Sequence, residues 1–402
     1  MPEAVIVATA RSPIGRAFKG SLVDMRPDDL AAQMVRAVLA KVPALPLGEI
    51  EDVMLGCGLP GGEQGFNMAR VVSVLAGLPD TAGTTVNRYC AASLQTLRMA
   101  AHAIKAGEGE AYIAAGVECV SRFVKGSSDT LPDTENPAFD EARSRSAARS
   151  ESGAPLWRPE WMPDVYIAMG QTAENVALLE GISRTDQDRF AFESQQNTAR
   201  AIASGFFDLD ITPVTLPDGT VMSTDDGPRP DTTLDGLGQL RPAFRPDGSV
   251  TAGNSCPLND GAAAIVVMSD VRAKELGLTP LARIVASAVT GINPEIMGLG
   301  PVASCRLALQ RAGMTIDDID LVELNEAFAA QVLPSMRHLN IGRDKINIHG
   351  GAISLGHPFG MTGARIMTTL LNSLLVTDKT VGMESMCVGG GQGMAMIVER
   401  LS

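Results

Sequence analysis

The sequence contains no uninterrupted run of about 18 apolar residues, the length that a membrane-spanning helix needs. Residues 1–11 lack the basic segment and long apolar core of a secretory signal, and the final segment, Glu399-Arg400-Leu401-Ser402, is not a peroxisomal address. The chain also lacks a long basic tract, and its formal net charge of −13 argues against nucleic acid or an anionic membrane as a partner. We therefore expect a cytoplasmic protein with no membrane span and no nucleic acid partner.

Cysteine and histidine are scarce in this chain. The six cysteines show none of the paired spacings of a disulfide framework or a zinc site, so we expect reduced thiols and no bound metal. The four histidines leave few candidates for a general base. The hydrophobic content is 45% over 402 residues, which is enough to build two or three packed domains.

Cys90 lies where a strand-like segment turns into a helical pattern. Behind it, apolar residues recur at helical spacing, at Leu94, Leu97, Ala101 and Ile104. Gly107 marks the expected end of that helix. The pattern predicts Cys90 at or beside a helix N-terminus, where unpaired N–H groups and the helix dipole favour the thiolate. By itself, such a cysteine is more often a small buried hydrophobic residue.

Two glycine-rich segments near the C-terminus supply what a reactive cysteine needs. Residues 350–365 place His357 among glycines ahead of a helical pattern, and Cys387 ends an apolar strand that leads into Gly389-Gly390-Gly391. Glycines at this density let backbone N–H groups approach a ligand closely and converge on an oxyanion. His357 is the best candidate for a general base, because the other three histidines lack such a setting on both sides: His102, His338 and His349.

Further segments follow in order along the chain: Ala10-Arg11-Ser12-Pro13-Ile14-Gly15, Gly116-Val117-Glu118-Cys119, Thr251-Ala252-Gly253-Asn254, Asn259-Asp260-Gly261-Ala262-Ala263 and Asn325-Glu326-Ala327-Phe328-Ala329. Together with the segments around Cys90, His357 and Cys387, they resemble the thiolase family of acyl-CoA acyltransferases nearly end to end. The resemblance implies cleavage of a 3-ketoacyl-CoA by coenzyme A, as in fatty acid β-oxidation. It also implies coenzyme A as a substrate, no bound cofactor, and a homodimer or homotetramer.

An internal repeat divides the chain into two halves. Val7-Ala8-Thr9-Ala10 has a counterpart in Val285-Ala286-Ser287-Ala288, and residues 51–56 have one in residues 319–324. With the resemblance, this repeat predicts an α/β fold in which two similar βαβαβαββ halves form a layered α/β/α/β/α core. We expect the first half in residues 1–120 and 251–275 and the second in residues 276–402. Residues 121–250 are expected to form an inserted loop domain on the coenzyme A side.

The resemblance implies chemical roles for four side chains. Cys90 is expected to form the acyl-enzyme, His357 to take its proton, and Cys387 to protonate the leaving enolate. Asn325 is expected to hold a water that stabilises this enolate together with His357, although an asparagine alone is more often a helix cap. Backbone N–H groups of Cys90 and Gly389 are expected to form the oxyanion hole.

Other positions match the family's coenzyme A and acyl sites. Arg229 stands where a basic residue often contacts the nucleotide, with Arg241 and Arg245 as nearby alternatives for the phosphates. The remaining candidates for substrate binding are Ala252, Gly253, Cys256, Phe328 and two methionines that can adapt to several acyl shapes, Met169 and Met297.

Three positions depart from the usual pattern of the family. Ala91-Ala92-Ser93 follows the nucleophile where a small residue followed by Ser-Gly is usual. Cys256 replaces a serine near the pantetheine arm, which weakens the hydrogen bond expected there. Gln392 is more typical of degradative members than of biosynthetic ones, so we expect degradation.

Three alternatives stay open at the level of sequence. The first is condensation of two acetyl-CoA molecules to acetoacetyl-CoA by the same machinery run backwards. The second is a decarboxylating ketoacyl synthase, which calls for a second histidine where this chain has Cys387. The third is a non-catalytic acyl-CoA-binding protein, which would need none of the four reactive side chains.

Overall fold

The computed structural model describes residues 2–125, 134–152 and 160–402, and within these ranges no helix is long and apolar enough to cross a bilayer. The first part of the chain forms β1 (Ala4–Arg11), β2 (Gly15–Arg16), α1 (Pro27–Ala40), β3 (Ile50–Gly56), α2 (Met68–Leu75), β4 (Ala82–Val86), α3 (Ala92–Ala106) and β5 (Ala111–Cys119). The middle forms α4 (Asp140–Ser152), α5 (Met169–Glu180), α6 (Arg184–Ala203), α7 (Phe207–Asp210), β6 (Val214–Thr215), β7 (Val221–Met222) and α8 (Leu234–Gly238).

The remainder of the chain returns first to the initial sheet and then builds a second set of elements. It forms β8 (Asn259–Ser269), α9 (Asp270–Glu275), β9 (Ala282–Gly291), α10 (Gly300–Ala312), β10 (Leu321–Leu324), α11 (Ala329–Leu339), α12 (Ala352–Leu355), α13 (Thr362–Val376), β11 (Val381–Val388) and β12 (Gln392–Arg400).

Ten strands form one hydrogen-bonded sheet in the order β10-β11-β12-β9-β1-β8-β5-β3-β4, with β2 paired to β8. β3 runs parallel to both β4 and β5, and β10 runs parallel to β11. The two halves meet where β1 pairs with β9 over only two residues, Val5 and Ile6. The short junction lets the two halves of the sheet stack on opposite sides of a shared helical layer.

The order of elements in the second half repeats that of the first. The predicted repeat segments fall in β1 and β9, and then in β3 and β10. The counterpart of β4, near Ile346, makes only a single bridge to Val322. Helices α1 and α2 cover one outer face and α10 and α11 the other, while α3 and α13 lie between the two parts of the sheet.

Helix α3 forms as its spacing predicts. Its apolar positions at Leu94, Leu97, Ala101 and Ile104 are all buried, and Gly107 ends it with a φ of 77°. Helix α13 packs against it closely, because a Cβ added to Gly363 would lie 2.3 Å from the Leu94 nitrogen. This contact joins the helix that follows Cys90 to the helix that follows His357.

The segment between the halves is anchored to the second half by buried polar contacts. Glu295 accepts a hydrogen bond from Arg149 at 2.8 Å, and its backbone carbonyl accepts one from the Asn175 amide at 2.8 Å. Helix α5 thereby packs on the segment before α10. The predicted division into residues 1–120 with 251–275, 121–250 and 276–402 stays a prediction.

Candidate active site

The candidate catalytic side chains lie at the carboxyl ends of parallel strands from both halves. Cys90 follows β4 and precedes α3, Asn325 directly follows β10, and Cys387 lies one residue before the end of β11. In open α/β sheets, ligands bind in the crevice outside the carboxyl ends of the strands. The fold thus brings residues that are far apart in sequence to one edge.

The Cys90 thiol lies in a tight turn between strand and helix. Tyr89 has a φ of 42°, a left-handed conformation that bulky residues rarely adopt, and it turns the chain into α3. The backbone N–H groups of Gly389 and of Cys90 itself lower the pKa of the thiol. Burial nevertheless raises the pKa of Cys90 to about 11. Desolvation therefore opposes the helix end, which favours the thiolate, and the nucleophile needs a base, as the predicted role of His357 requires.

His357 is held in one tautomer by its neighbours. The Thr362 hydroxyl donates to the Pro358 carbonyl at 2.8 Å, so its oxygen accepts from His357 Nδ1–H at 2.6 Å. The other ring nitrogen, Nε2, is then an acceptor and faces the Asn325 amide nitrogen at 3.3 Å. Burial, with a smaller effect of Arg365, lowers the pKa of His357 to about 3. The imidazole is therefore neutral at pH 7 and can take a proton at Nε2.

Asn325 connects the end of β10 to this histidine. Its backbone N–H donates to Ser385 on β11 at 2.9 Å, and its carbonyl accepts from Gln331 at 2.8 Å, so the residue is fixed on both sides. Its side-chain Oδ1 is buried and finds no hydrogen-bond partner among the described residues. A buried amide oxygen without a partner is costly, so this acceptor suits a polar group of a substrate or a water.

Cys387 is fully buried, and burial raises its pKa well above the ordinary value. The Cys90 and Cys256 thiols raise it further, which shows that the three sulfurs lie near one another. Cys387 belongs to an apolar cluster with Met297 and Phe328, on which Met169 and Cys256 pack from the less buried side. Four of the residues predicted to bind substrate thus belong to the cluster around Cys387: Cys256, Phe328, Met169 and Met297.

A cavity of about 390 Å³ opens over the Cys90 thiol. Its walls include Cys90, Gly389 and Met169, with Phe359 and Ile167 contributing further apolar surface. Glu135 lines it as well, and no lysine or arginine does within the described part of the chain. The described lining is therefore mostly apolar, and its one acidic group, Glu135, is paired with Arg143.

Three of the residues predicted to bind coenzyme A lie outside the cavity over Cys90. Arg229 is exposed, and burial of part of its side chain together with Arg16 lowers its pKa. Ala252 is exposed, whereas Gly253 is covered by the side chains of Leu237 and Leu240. Arg229, Ala252 and Gly253 do not line the 390 Å³ cavity in the described ranges.

The three arginines predicted as phosphate ligands, Arg229, Arg241 and Arg245, differ in their contacts within the protein. The Arg245 side chain donates to Gln171 and Asn175, both at 2.7 Å, which commits it to bracing α5. Arg241 is exposed, as is Arg229. These contacts favour Arg229 and Arg241 over Arg245 as phosphate ligands.

Glu118 supports the site, although the sequence predicted no role for it within the segment Gly116-Val117-Glu118-Cys119. Its buried carboxylate accepts from the N–H groups of Gly58 at 2.7 Å and Gly360 at 2.9 Å, and from Gln64 at 2.6 Å. Gly360 belongs to the turn after His357, so one carboxylate ties that turn to the end of β3. Its only signal in the sequence is an acidic residue at the end of an apolar strand.

Three ionisable residues are buried behind the histidine. Glu323 on β10 and Glu384 on β11 are paired in register, and Arg365 on α13 interacts with both. Burial raises the pKa of Glu323 to about 8 and that of Glu384 well above its ordinary value. Neither oxygen of Glu384 has a hydrogen-bond partner in the described part of the structure. Arg365 thus interacts electrostatically with two buried carboxyl groups.

In the residues that the structure describes, no group of three or more histidine, cysteine or acidic side chains is arranged to hold a metal ion. The six cysteines are all free thiols. The reactive groups of the site are accordingly thiols, an imidazole and an amide.

Comparison with known proteins identifies the family. The model of the thiolase N-terminal domain matches residues 4–271, and that of the thiolase C-terminal domain matches residues 278–400. The chain is 43% identical to the 3-ketoacyl-CoA thiolase of Bacillus subtilis, covering 99% of this chain and 100% of that one. It is 45% identical to the 3-oxoadipyl-CoA/3-oxo-5,6-dehydrosuberyl-CoA thiolase of Escherichia coli, covering 100% of both.

Solved structures agree with these matches. The dimeric peroxisomal thiolase of Saccharomyces cerevisiae superposes with a TM-score of 0.88 at 35% identity, covering 99% of this chain and 97% of that one. Fold and relatives together define an acyltransferase built from two α/β halves. The chain belongs to the thiolase family, and the predicted family, fold class and thiolytic reaction class are confirmed.

Proposed function

We propose that this protein cleaves 3-ketoacyl-CoA with coenzyme A, giving acetyl-CoA and a shortened acyl-CoA through an acyl-enzyme on Cys90. The observation that carries this proposal is the neutral His357, whose Nε2 stays an acceptor because Thr362 holds the Nδ1 proton. A protonated thiol in the same site needs such an acceptor before it can attack.

In the first half-reaction, His357 takes the Cys90 proton and the thiolate attacks the 3-keto carbon. The bond between C2 and C3 then breaks, and its electron pair forms the enolate of acetyl-CoA. His357, now protonated, and a water held by Asn325 stabilise the enolate oxygen, and Cys387 donates its proton to C2. Acetyl-CoA leaves, and the acyl group stays on Cys90 as a thioester.

In the second half-reaction, the Cys387 thiolate takes the proton of an incoming coenzyme A thiol. The coenzyme A sulfur attacks the acyl-enzyme carbonyl, whose oxygen receives hydrogen bonds from the N–H groups of Cys90 and Gly389. The Cys90 thiolate leaves and recovers its proton from His357. His357 returns its proton to Cys90, and the proton that Cys387 gave to C2 is replaced from the coenzyme A thiol, so the cycle needs no external acid or redox partner.

We propose a neutral acyl chain as the preferred substrate, as in fatty acid β-oxidation. The cavity over Cys90 is lined by Met169, Ile167 and Phe359, which suit an alkyl chain. A substrate ending in a carboxylate would find no basic side chain in the described lining, whose one acidic residue, Glu135, is paired with Arg143. The name of the Escherichia coli relative describes such a dicarboxylic substrate, whereas that of the Bacillus subtilis relative describes a 3-ketoacyl-CoA in general.

For the coenzyme A portion we propose that Arg229 binds the nucleotide end and that Ala252, Gly253 and Cys256 lie along the pantetheine arm. The exposed guanidinium of Arg229, close to Arg16 and repelled by it, supports this proposal because an incoming phosphate would relieve the repulsion. We also propose a homodimer or homotetramer in a reducing cytoplasm. The six free thiols support the compartment, and the edge strand β4, which keeps exposed positions, supports association.

The test is the coenzyme A-dependent cleavage of 3-ketoacyl-CoA esters of increasing length, together with 3-oxoadipyl-CoA. Native protein should cleave neutral chains, Cys90→Ala should lose activity by about a thousandfold or more, and Cys305→Ala, at a buried cysteine away from the cavity, should keep it. Mass spectrometry should find the acyl group on Cys90. Native protein that binds acyl-CoA without cleaving it would overturn the proposal, and preference for 3-oxoadipyl-CoA would overturn its substrate class.

A further inference from the structure

A second cavity, of about 420 Å³, lies between α3, α10 and β9 and shares no lining residue with the cavity over Cys90 in the described ranges. Helix α3 contributes Arg98, His102 and Lys105, and α10 contributes Arg311. The backbone of residues 284–287 in β9 forms part of its wall. Four basic side chains from two helices therefore converge on one cleft.

This clustering runs against the composition of the chain, which has 46 acidic and 33 basic residues other than histidine. No aspartate or glutamate lines the cleft in the part of the chain that the structure describes. No ion pair involves Arg98, Lys105 or Arg311 among those residues, whereas the partly exposed Arg272 is paired with two glutamates. The positive charge of the cleft is left without a counter-charge from the described residues.

Contacts with backbone carbonyls hold two of these side chains in place. Lys105 Nζ donates to the Ile284 carbonyl at 3.2 Å, and Arg311 Nη1 donates to the Ser287 carbonyl at 2.7 Å. Each contact uses one donor, so other N–H groups of both side chains stay available. The Nε of Arg98 is buried and has no partner among the described residues. The cleft thus offers fixed cationic groups with unused donors.

Neighbouring positive charges contribute to the lowered pKa values of Arg98 and His102. Burial, then Arg311 and Arg88, lower the pKa of Arg98. Burial, then Arg98, Lys105 and Arg311, lower the pKa of His102. A bound anion would remove this repulsion, whereas the charges stand uncompensated when the cleft is empty.

We propose that this cleft binds a small anion that carries two or more phosphate charges, such as inorganic pyrophosphate or the diphosphate of a nucleotide. Two guanidinium groups present planar forks that match phosphate oxygens, and the lysine adds a third permanent charge. One carboxylate would neutralise only one of the three. The proposal is independent of the reaction at Cys90, because the two cavities have separate walls.

The test is isothermal titration calorimetry of the full-length protein with inorganic pyrophosphate. Native protein should bind it, and Arg311→Gln should weaken binding by about tenfold or more. Arg306→Gln is the matched control, because Arg306 lies on the same helix and also donates to a carbonyl, that of His338, outside the cleft. Lys105→Gln gives a second variant if Arg311→Gln folds poorly, which its melting temperature would show.

Competition separates the possible sources of the phosphate. Tighter binding of ADP than of pyrophosphate, lost again in Arg311→Gln, would identify a nucleotide as the ligand. Pyrophosphate binding that survives in saturating coenzyme A supports a separate site. Binding that coenzyme A abolishes and Arg311→Gln retains would overturn the proposal, because the anion would then occupy the substrate site.

Two other results would also overturn the proposal. Equal weakening by Arg311→Gln and Arg306→Gln would indicate non-specific attraction by surface charge. Absence of pyrophosphate binding, with a change of oligomeric state in Arg311→Gln on size-exclusion chromatography, would indicate that a second copy of the chain fills the cleft.

Discussion

The Ser93 hydroxyl accepts a hydrogen bond from the Ala364 N–H at 2.9 Å, and both residues are buried. Ser93 follows the nucleophile by three residues, and Ala364 follows His357 by seven. The bond crosses between α3 and α13 at the point where Gly363 lets the two helices touch. The relative position of Cys90 and His357 therefore depends on how these two helices pack.

We expect Gly363→Ala to lower the free energy of unfolding by about 1–3 kcal/mol, because the new Cβ meets the Leu94 backbone, which no rotamer change relieves. The activity should fall as well, since the helices that carry the two reactive turns must move apart. Gly48→Ala is the control, because nothing lies within 4 Å of a Cβ at Gly48. Urea denaturation and the thiolysis assay check both effects, and equal stability of the two variants would contradict the close packing.

Thr362→Val should lower kcat by roughly tenfold to a hundredfold with little change in KM, because the Nδ1 proton of His357 loses its acceptor and the reactive tautomer is no longer favoured. Thr362→Ser keeps the hydroxyl and should recover most of the rate. Steady-state kinetics on the same 3-ketoacyl-CoA measure this difference. A valine variant as active as the serine variant would show that Thr362 does not set the tautomer.

Acid should destabilise the native protein through His357. Burial holds the pKa of His357 at about 3, below the ordinary value of 6.5, so the unfolded chain binds the proton first as the pH falls. The stability contributed by the neutral imidazole is complete above pH 6.5 and is lost between pH 6.5 and about 3, by about 1.4 kcal/mol per pH unit.

The check compares native protein with His357→Gln in urea at pH 7 and pH 5. The native protein should lose more free energy of unfolding between these two pH values than the variant does. A variant with the same loss as the native protein would mean that other groups carry the acid sensitivity.

Glu384→Gln should stabilise the protein at pH 8, and by more as the pH rises from 6 to 8. The carboxyl group is buried beside Glu323, and neither of its oxygens has a hydrogen-bond partner among the residues that the structure describes. Its pKa is raised, so the unfolded chain ionises before the folded one and stability falls with rising pH. Glu108→Gln, at an exposed residue just after α3, is the control. Melting temperatures across this pH range measure the effect, and a lower melting temperature for Glu384→Gln at pH 8 would show that the native protein gains from the charge.

Met169→Phe should shift the preferred substrate toward shorter acyl chains, because Met169 lines the cavity over Cys90 and a rigid ring fills part of it. The ratio of kcat/KM for long and short 3-ketoacyl-CoA esters should fall several-fold. Met162→Phe, at an exposed methionine, should leave the ratio unchanged. An unchanged ratio in Met169→Phe would place the acyl chain elsewhere.

The sequence predicted those parts of the site that local pattern specifies. The helical spacing after Cys90 and Gly107 located α3, and the repeat located β9 and β10 as counterparts of β1 and β3. The glycines around His357 and Cys387 pointed to two reactive turns. These features depend on neighbours in the chain, so they can be read without a fold.

The features of the site that could not be predicted from the sequence depend on contacts across the fold. The raised pKa of Cys90 follows from burial, which opposes the effect of the helix end that the local pattern identified. The commitment of Arg245 to α5 and the pairing of Glu323 with Glu384 depend on tertiary contacts and strand register. None of these has a local signature, because the partners lie tens of residues apart.

The position of β8 has a consequence for synthesis of the chain on the ribosome. β8 ends at Ser269 of 402 residues, yet it lies between β1 and β5, so the first sheet has a gap at its centre until about two-thirds of the protein has been made. The edges of β1 and β5 that pair with β8 stay unpaired while residues 120–258 are translated. Nascent chains shorter than about 270 residues should therefore expose unpaired strand edges and depend on chaperones.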